Sequence, residues 1–178
     1  NFGSRAELTL AGVPVGRLLG AENPRRSGPG SPPPGAGSVI AVVATDAPLI
    51  PPQCKALARR VTLGLARTGT TGSHYSGDLF LAFSTGNPGA ITAGTPGSGP
   101  DPDSGYDQLR FVRWGAINRF FAAVVQATEE AVANALAAGE DMTGRAGHRV
   151  PGLPRDQVAA LFRSPRPGND MQMGESTR

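Results

Sequence analysis

The chain has 178 residues, 39% of them hydrophobic and 17% charged, which is enough for one globular core and too little for two. No stretch approaches the roughly 20 apolar residues that a membrane-spanning helix needs, so no membrane partner is expected. The pI near 9.7 comes with a net charge of only +3, carried by scattered pairs such as Arg25/Arg26, Arg59/Arg60 and Arg110/Arg113, and aromatics make up 6%. That dispersal argues against nucleic-acid binding.

In chain order, residues 7–19 (ELTLAGVPVGRLL) read as short strands interrupted by Gly12 and Gly16. A Pro/Gly-rich linker follows, from about Gly20 to Gly37. Val39 to Thr45 is apolar on both faces, which predicts a strand buried from two sides. Pro51 and Pro52 suit the first turn of a helix, with Leu57, Val61 and Leu65 as its apolar stripe. Residues 79–85 (LFLAFST) predict a second strand, with Leu79, Leu81 and Phe83 on one face and Phe80, Ala82 and Ser84 on the other. After a Gly/Pro/Asp-rich loop over 88–107, helical spacing from Ile117 through Leu136 predicts the longest helix, stopping at Gly139. Pro154 to Arg163 predicts a short last helix, and the polar tail from Ser164 reads as disordered.

Chemistry concentrates at two places. The first is Gly37-Ser38, where the exposed linker gives way to the apolar run SVIAVVATDAPL. A cut before Ser38 makes its hydroxyl the nucleophile of a new N-terminus, and the freed α-amine, with an ordinary pKa of roughly 7.7 to 8.0, can take the proton. Gly37 lets the scissile peptide take strained geometry at little steric cost. The bland alternative is a linker followed by an ordinary strand. The second place is Ser76-Gly77-Asp78, just before the second strand. In extended chain, residues two apart share a face about 6.6 to 6.8 Å apart, so Ser76 and Asp78 can flank one external group as a proton relay. A Ser-Gly-Asp turn with no catalytic role is the competing reading.

Neither a metal nor a cofactor is implied. His74 and His148 stand far apart, and neither is at ligand spacing from Cys54 or a carboxylate pair. Cys54, the single cysteine, sits in a helical pattern and reads as a small core residue. His74 reads as a loop residue near the mouth of a pocket. The sequence opens at Asn1 with neither Met nor a signal-like stretch, which reads as an interior point of a longer protein; a cytoplasmic location is the expectation.

Six segments, NFG at the start, GVPVGR, GSVIAVVATDAPL, LARRVTLGLARTGT, SGDLFLAFST and EEAVANAL, occur in an order that resembles the DmpA-like aminopeptidases, a family that includes the β-peptidyl aminopeptidases. The likeness runs from Asn1 to about Leu161. It implies a four-layer αββα sandwich, an α/β (α+β) fold shared with the ornithine acetyltransferases and incomplete in this fragment. It also implies a precursor that cuts itself at Gly37-Ser38. Residues 1–37 are then the end of an α chain with its linker, residues 38–163 the β chain that carries the nucleophile, and 164–178 a tail.

On the same resemblance the catalytic serine matches Ser38, the second serine and the acidic residue match Ser76 and Asp78, and Asn1 matches an asparagine that helps form the oxyanion hole. The family carries Glu or Asp at the acidic place, and Asp78 has the shorter reach. The segment before Ser76 (Ser73-His74-Tyr75) and the Gly86-Asn87 pair depart from the pattern or fall where it varies. The implied activity is that of a hydrolase, a serine aminopeptidase acting on peptides or on amino-acid amides and esters. The implied partners are the rest of the α chain and further copies, as a homo-oligomer of α/β pairs. Two alternatives stand beside it: an ornithine acetyltransferase-type acyltransferase, which uses Thr where this chain has Ser38, and an inactive fragment serving as a structural or binding module.

Overall fold

The N-terminal segment, whose alternation predicts short strands, instead doubles back on itself. A computed structural model describes residues 3–20, 37–91 and 106–163. In it Arg5–Glu7 form a 3-10 turn, Leu10 and Val13 make an isolated bridge, and Val15–Leu18 form a one-turn helix, α1. The reason is local: Ala11 and Gly12 both take positive φ (45° and 78°), which reverses the chain before an extended run can establish. Asn1, most of the linker and the tail from Ser164 lie outside the described residues.

Strand β1 (Ile40–Thr45) pairs in parallel with β2 (Leu79–Ser84), from Ile40 opposite Leu79 to Thr45 opposite Ser84. A parallel pair needs a crossover, which runs through α2 (Pro51–Ala58) and α3 (Val61–Arg67). The stripe of Leu57, Val61 and Leu65 is buried as expected, but on two helices separated at Arg59-Arg60. Pro51 and Pro52 occupy the first turn of α2, where a missing N–H leaves nothing unpaired. Gln53, fully buried, accepts the Ile50 N–H at 3.2 Å and donates from Nε2 to the Val112 carbonyl at 2.5 Å. One side chain thus caps α2 and ties it to the segment leading into α4 (Asn118–Ala138).

The core lies between one face of the sheet and these helices. Ala41, Val43, Phe80 and Ala82 pack against Leu49, Leu57, Val61, Leu65, Ile117 and Val124. Each fully buried aliphatic side chain of this kind contributes about 1.5–3 kcal/mol. Contrary to the expectation for β1, only that face is covered: Ile40 and Val42 on β1 are 65% and 59% exposed, as are Leu79 and Leu81 on β2 at 65% and 57%. The sequence reads β1 as buried on two sides because its composition suits a two-sided sandwich, of which the described residues supply the sheet and the helices on one side.

Helix α4 crosses α3 at Gly64, where a Cβ would fall 2.5 Å from the Thr128 Cβ and 2.7 Å from the Val125 carbonyl oxygen. Thr128 cannot swing aside freely, because its hydroxyl donates to the Val124 carbonyl at 2.7 Å. Gly64→Ala gains helix propensity of about 1 kcal/mol but forces two helices apart. We expect a net loss of about 1–3 kcal/mol in urea unfolding, the range for overpacked cores; unchanged or raised stability contradicts the tight crossing.

Helix α4 ends at Gly139 as predicted, though Gly139 leaves in extended conformation (φ −68°, ψ 136°) and not as a left-handed cap. Beyond it comes a short antiparallel hairpin with no counterpart in the sequence reading, β3 (Met142–Thr143) and β4 (Arg149–Val150). Asp141 clamps it: the Gly152 N–H at 2.8 Å, together with Arg149, holds this carboxyl below its usual range. The last helix, α5 (Arg155–Arg163), buries Val158.

The N-terminal segment is fastened to the end of α3. The Thr9 N–H donates to the Thr68 carbonyl at 2.9 Å, and Val15 is fully buried. Gly69, at φ 104°, lies so close that a Cβ would sit 1.7 Å from the Glu7 carbonyl oxygen. Arg5 reaches the Pro151 carbonyl. No helix among the described residues is long and apolar enough to cross a membrane.

Candidate active site

The parallel register that places Ile40 opposite Leu79 also brings Ser38, two residues before β1's Ile40, level with Gly77, two before β2's Leu79. The two sequence signals therefore meet just before the N-terminal ends of the paired strands β1 and β2. The Gly77 N–H donates to Ser38 Oγ at 3.1 Å. The Leu79 N–H donates to the Val39 carbonyl at 2.9 Å, and the Val39 N–H goes to Asp78 Oδ1 at 2.9 Å. Ser76 Oγ donates to the same carboxylate oxygen.

This arrangement brings Ser38, Ser76 and Asp78 around one cleft, with one difference from the expectation. Ser76 and Asp78 bond to each other and do not simply flank a third group, so Asp78 acts as an acceptor for both a hydroxyl and a strand-end N–H. A carboxylate held this way orients the serine it accepts from and carries charge next to Ser38. The hydrogen bond from Gly77 was not legible, because a backbone N–H has no residue signature; sequence reasoning read Gly77 only as a bend.

The cleft has a volume of about 280 Å³ and is lined by Ser38, Ser76 and Asp78 together with Gly37, His74 and, from the N-terminal segment, Glu7. His74 stands at the wall, as its reading as a pocket-mouth residue anticipated, whereas His148 lies next to β4 in the hairpin. Nothing in the sequence marks Glu7, and only the return of the N-terminal segment onto α3 brings it here. Cys54 is half-buried on α2, and burial pushes its thiol up, away from ready ionisation. Among the described residues no group of His, Cys, Asp and Glu could hold a metal ion.

The architecture is that of an N-terminal-nucleophile hydrolase variant. The chain is 38% identical to the structure of the L-aminopeptidase D-Ala-esterase/amidase from Ochrobactrum anthropi, described as a prototype for the serine aminopeptidases within that fold, with a TM-score of 0.72 over 92% of this chain and 41% of the other. A Burkholderia sp. beta-aminopeptidase is 40% identical, with the same TM-score, over 92% of this chain and 42% of its own. Residues 1–150 match the model of peptidase family S58, and the chain belongs to that family. The beta-peptidyl aminopeptidase BapA of Sphingosinicella microcystinivorans is 38% identical over 174 residues, 93% of this chain and 42% of the relative. The chain thus spans about two fifths of the length of the relatives it matches.

Proposed function

We propose that the protein carrying this chain is a self-processing serine aminopeptidase that removes N-terminal residues from peptides, amides or esters. The observation that carries this reading is the placement of Ser38, at a Gly-Ser junction, in one cleft with the Ser76–Asp78 pair. Membership of a peptidase family supports it.

In the first step Ser38 Oγ attacks the Gly37 carbonyl carbon. The C–N bond to Ser38 breaks as an ester to its oxygen forms, and the Ser38 nitrogen is freed as an amine. Water then hydrolyses the ester, leaving a carboxylate on Gly37 and a free hydroxyl on Ser38. In turnover the amine takes the hydroxyl proton while Oγ attacks the carbonyl of the substrate's first residue. Collapse of the tetrahedral intermediate expels the leaving amine with a proton from the relay, and water hydrolyses the acyl-enzyme. Ser76 and Asp78 hold and charge the relay, and Asn1 supplies a donor to the oxyanion, a role that follows from the family resemblance.

Residues 1–37 and 38–163 then act as the end of the α chain and the bulk of the β chain. Assembly into oligomers of α/β pairs and a cytoplasmic location belong to the same reading, and are checked by light scattering and cell fractionation. The deciding experiment is N-terminal sequencing of the purified full-length protein, paired with release of free amino acids from short peptides. A β chain beginning Ser-Val-Ile-Ala, together with amino-acid release, is the expected result. An uncut protein with full hydrolytic activity overturns the scheme.

A further inference from the structure

The cleft is acidic, with Glu7 and Asp78 both among the residues that line it. Among the described residues lining it, His74 is the one side chain able to carry positive charge. It sits in a tight turn closed by the Ser76 N–H to the Ser73 carbonyl at 2.8 Å, and by the Tyr75 N–H to Ser73 Oγ at 3.2 Å. The imidazole lies against the ring of Tyr75, with centroids 3.9 Å apart and planes tilted by 39°, so its direction is set by a neighbour and by the turn.

The turn leads straight into the relay, since Ser76 Oγ donates to Asp78 two residues on. On the proposed scheme the leaving amine takes its proton from the relay that Ser76 and Asp78 hold, which places the part of the substrate beyond the scissile bond toward these residues and His74, all of which line the cleft. There it meets Glu7 and Asp78, whose charges repel any carboxylate that follows. An imidazole donates an N–H in either protonation state and adds positive charge when protonated.

Resting on the aminopeptidase reading above, we propose that His74 selects the leaving group. Its ring N–H takes the free carboxylate of the residue released, so that dipeptides ending one residue past the scissile bond are preferred over the corresponding amides. His74 is a specificity residue in this scheme; it takes no part in the proton transfers.

The test uses the processed full-length protein, an alanyl dipeptide (α- or β-linked, whichever is turned over) and the same dipeptide with a C-terminal amide. The readout is the ratio of kcat/KM for acid over amide. For His74→Phe, which keeps a planar ring but has no N–H, the ratio is expected to fall by roughly 10-fold, the effect of losing one charge-assisted hydrogen bond, with amide turnover and self-cleavage unchanged. His74→Arg is expected to restore the preference for the acid. Equal loss on both substrates makes His74 a shaper of the turn and overturns the inference, as does an unchanged ratio. A wild-type protein that hydrolyses neither substrate sinks the aminopeptidase reading itself, and the assignment of His74 with it.

Discussion

Ser38→Ala is expected to leave the polypeptide uncut between residues 37 and 38 and to remove hydrolysis. In the proposed scheme one atom, Oγ, serves both reactions: it attacks the Gly37 carbonyl in the precursor and the substrate carbonyl in the mature protein. Its removal also keeps Gly37 attached, so the α-amine that would act as base never forms. Losing nucleophile and base together places the expected drop in kcat at the upper end known for nucleophile knockouts, on the order of 10⁶-fold. The fold should survive, because Ser38 is exposed and, among the described residues, its hydroxyl is held by one hydrogen bond, from the Gly77 N–H. Intact-mass spectrometry and a peptide-release assay read the two effects separately. A Ser38→Ala protein that still yields two chains would falsify the assignment of the cut.

Asp78→Asn should give the second-largest effect, by a different route. An asparagine Oδ1 can still accept the Val39 N–H and the Ser76 hydroxyl, so the ends of β1 and β2 stay joined and the circular dichroism spectrum stays native. What disappears is the negative charge that, in the proposed scheme, stabilises a proton on the relay. Positioned acid–base groups contribute roughly 10²–10⁴-fold, and we expect kcat/KM to fall within that span, with self-cleavage slowed in a time course and not abolished. Turnover equal to wild type would reduce Asp78 to a strand-end cap. Asp78→Ala separates the roles, since it strips the partner from the Val39 N–H and should lower stability as well as rate.

Much of the centre was legible because hydrophobic period is a local property. The alternation in LFLAFST and the helical spacing from Ile117 to Leu136 mark elements that the structure contains, whereas Ser38, Ser76 and Asp78, which line one cleft, are marked as a site only with the help of the family resemblance. The failures have physical causes. ELTLAGVPVGRLL alternates like a strand, but two adjacent residues with positive φ fold it into turns, and φ is not visible in a hydrophobic pattern. The break between α2 and α3 at Arg59-Arg60 comes with no Gly or Pro to signal it. The β3–β4 hairpin has two residues per strand, too few to show any period. The closeness of Glu7 to Ser38 depends on long-range packing through Gly69, which sequence spacing cannot report.

Val39 is held through both of its peptide groups, its N–H by Asp78 and its carbonyl by the Leu79 N–H. The proposed scission one residue earlier therefore leaves both of these bonds in place. If the precursor is cut there, as proposed, maturation changes bonding and leaves the anchor at Val39 as it was. On that scheme the attacking oxygen, held by the Gly77 N–H, is aimed before the cut, and the entropy lost in aiming it is given up when the polypeptide folds.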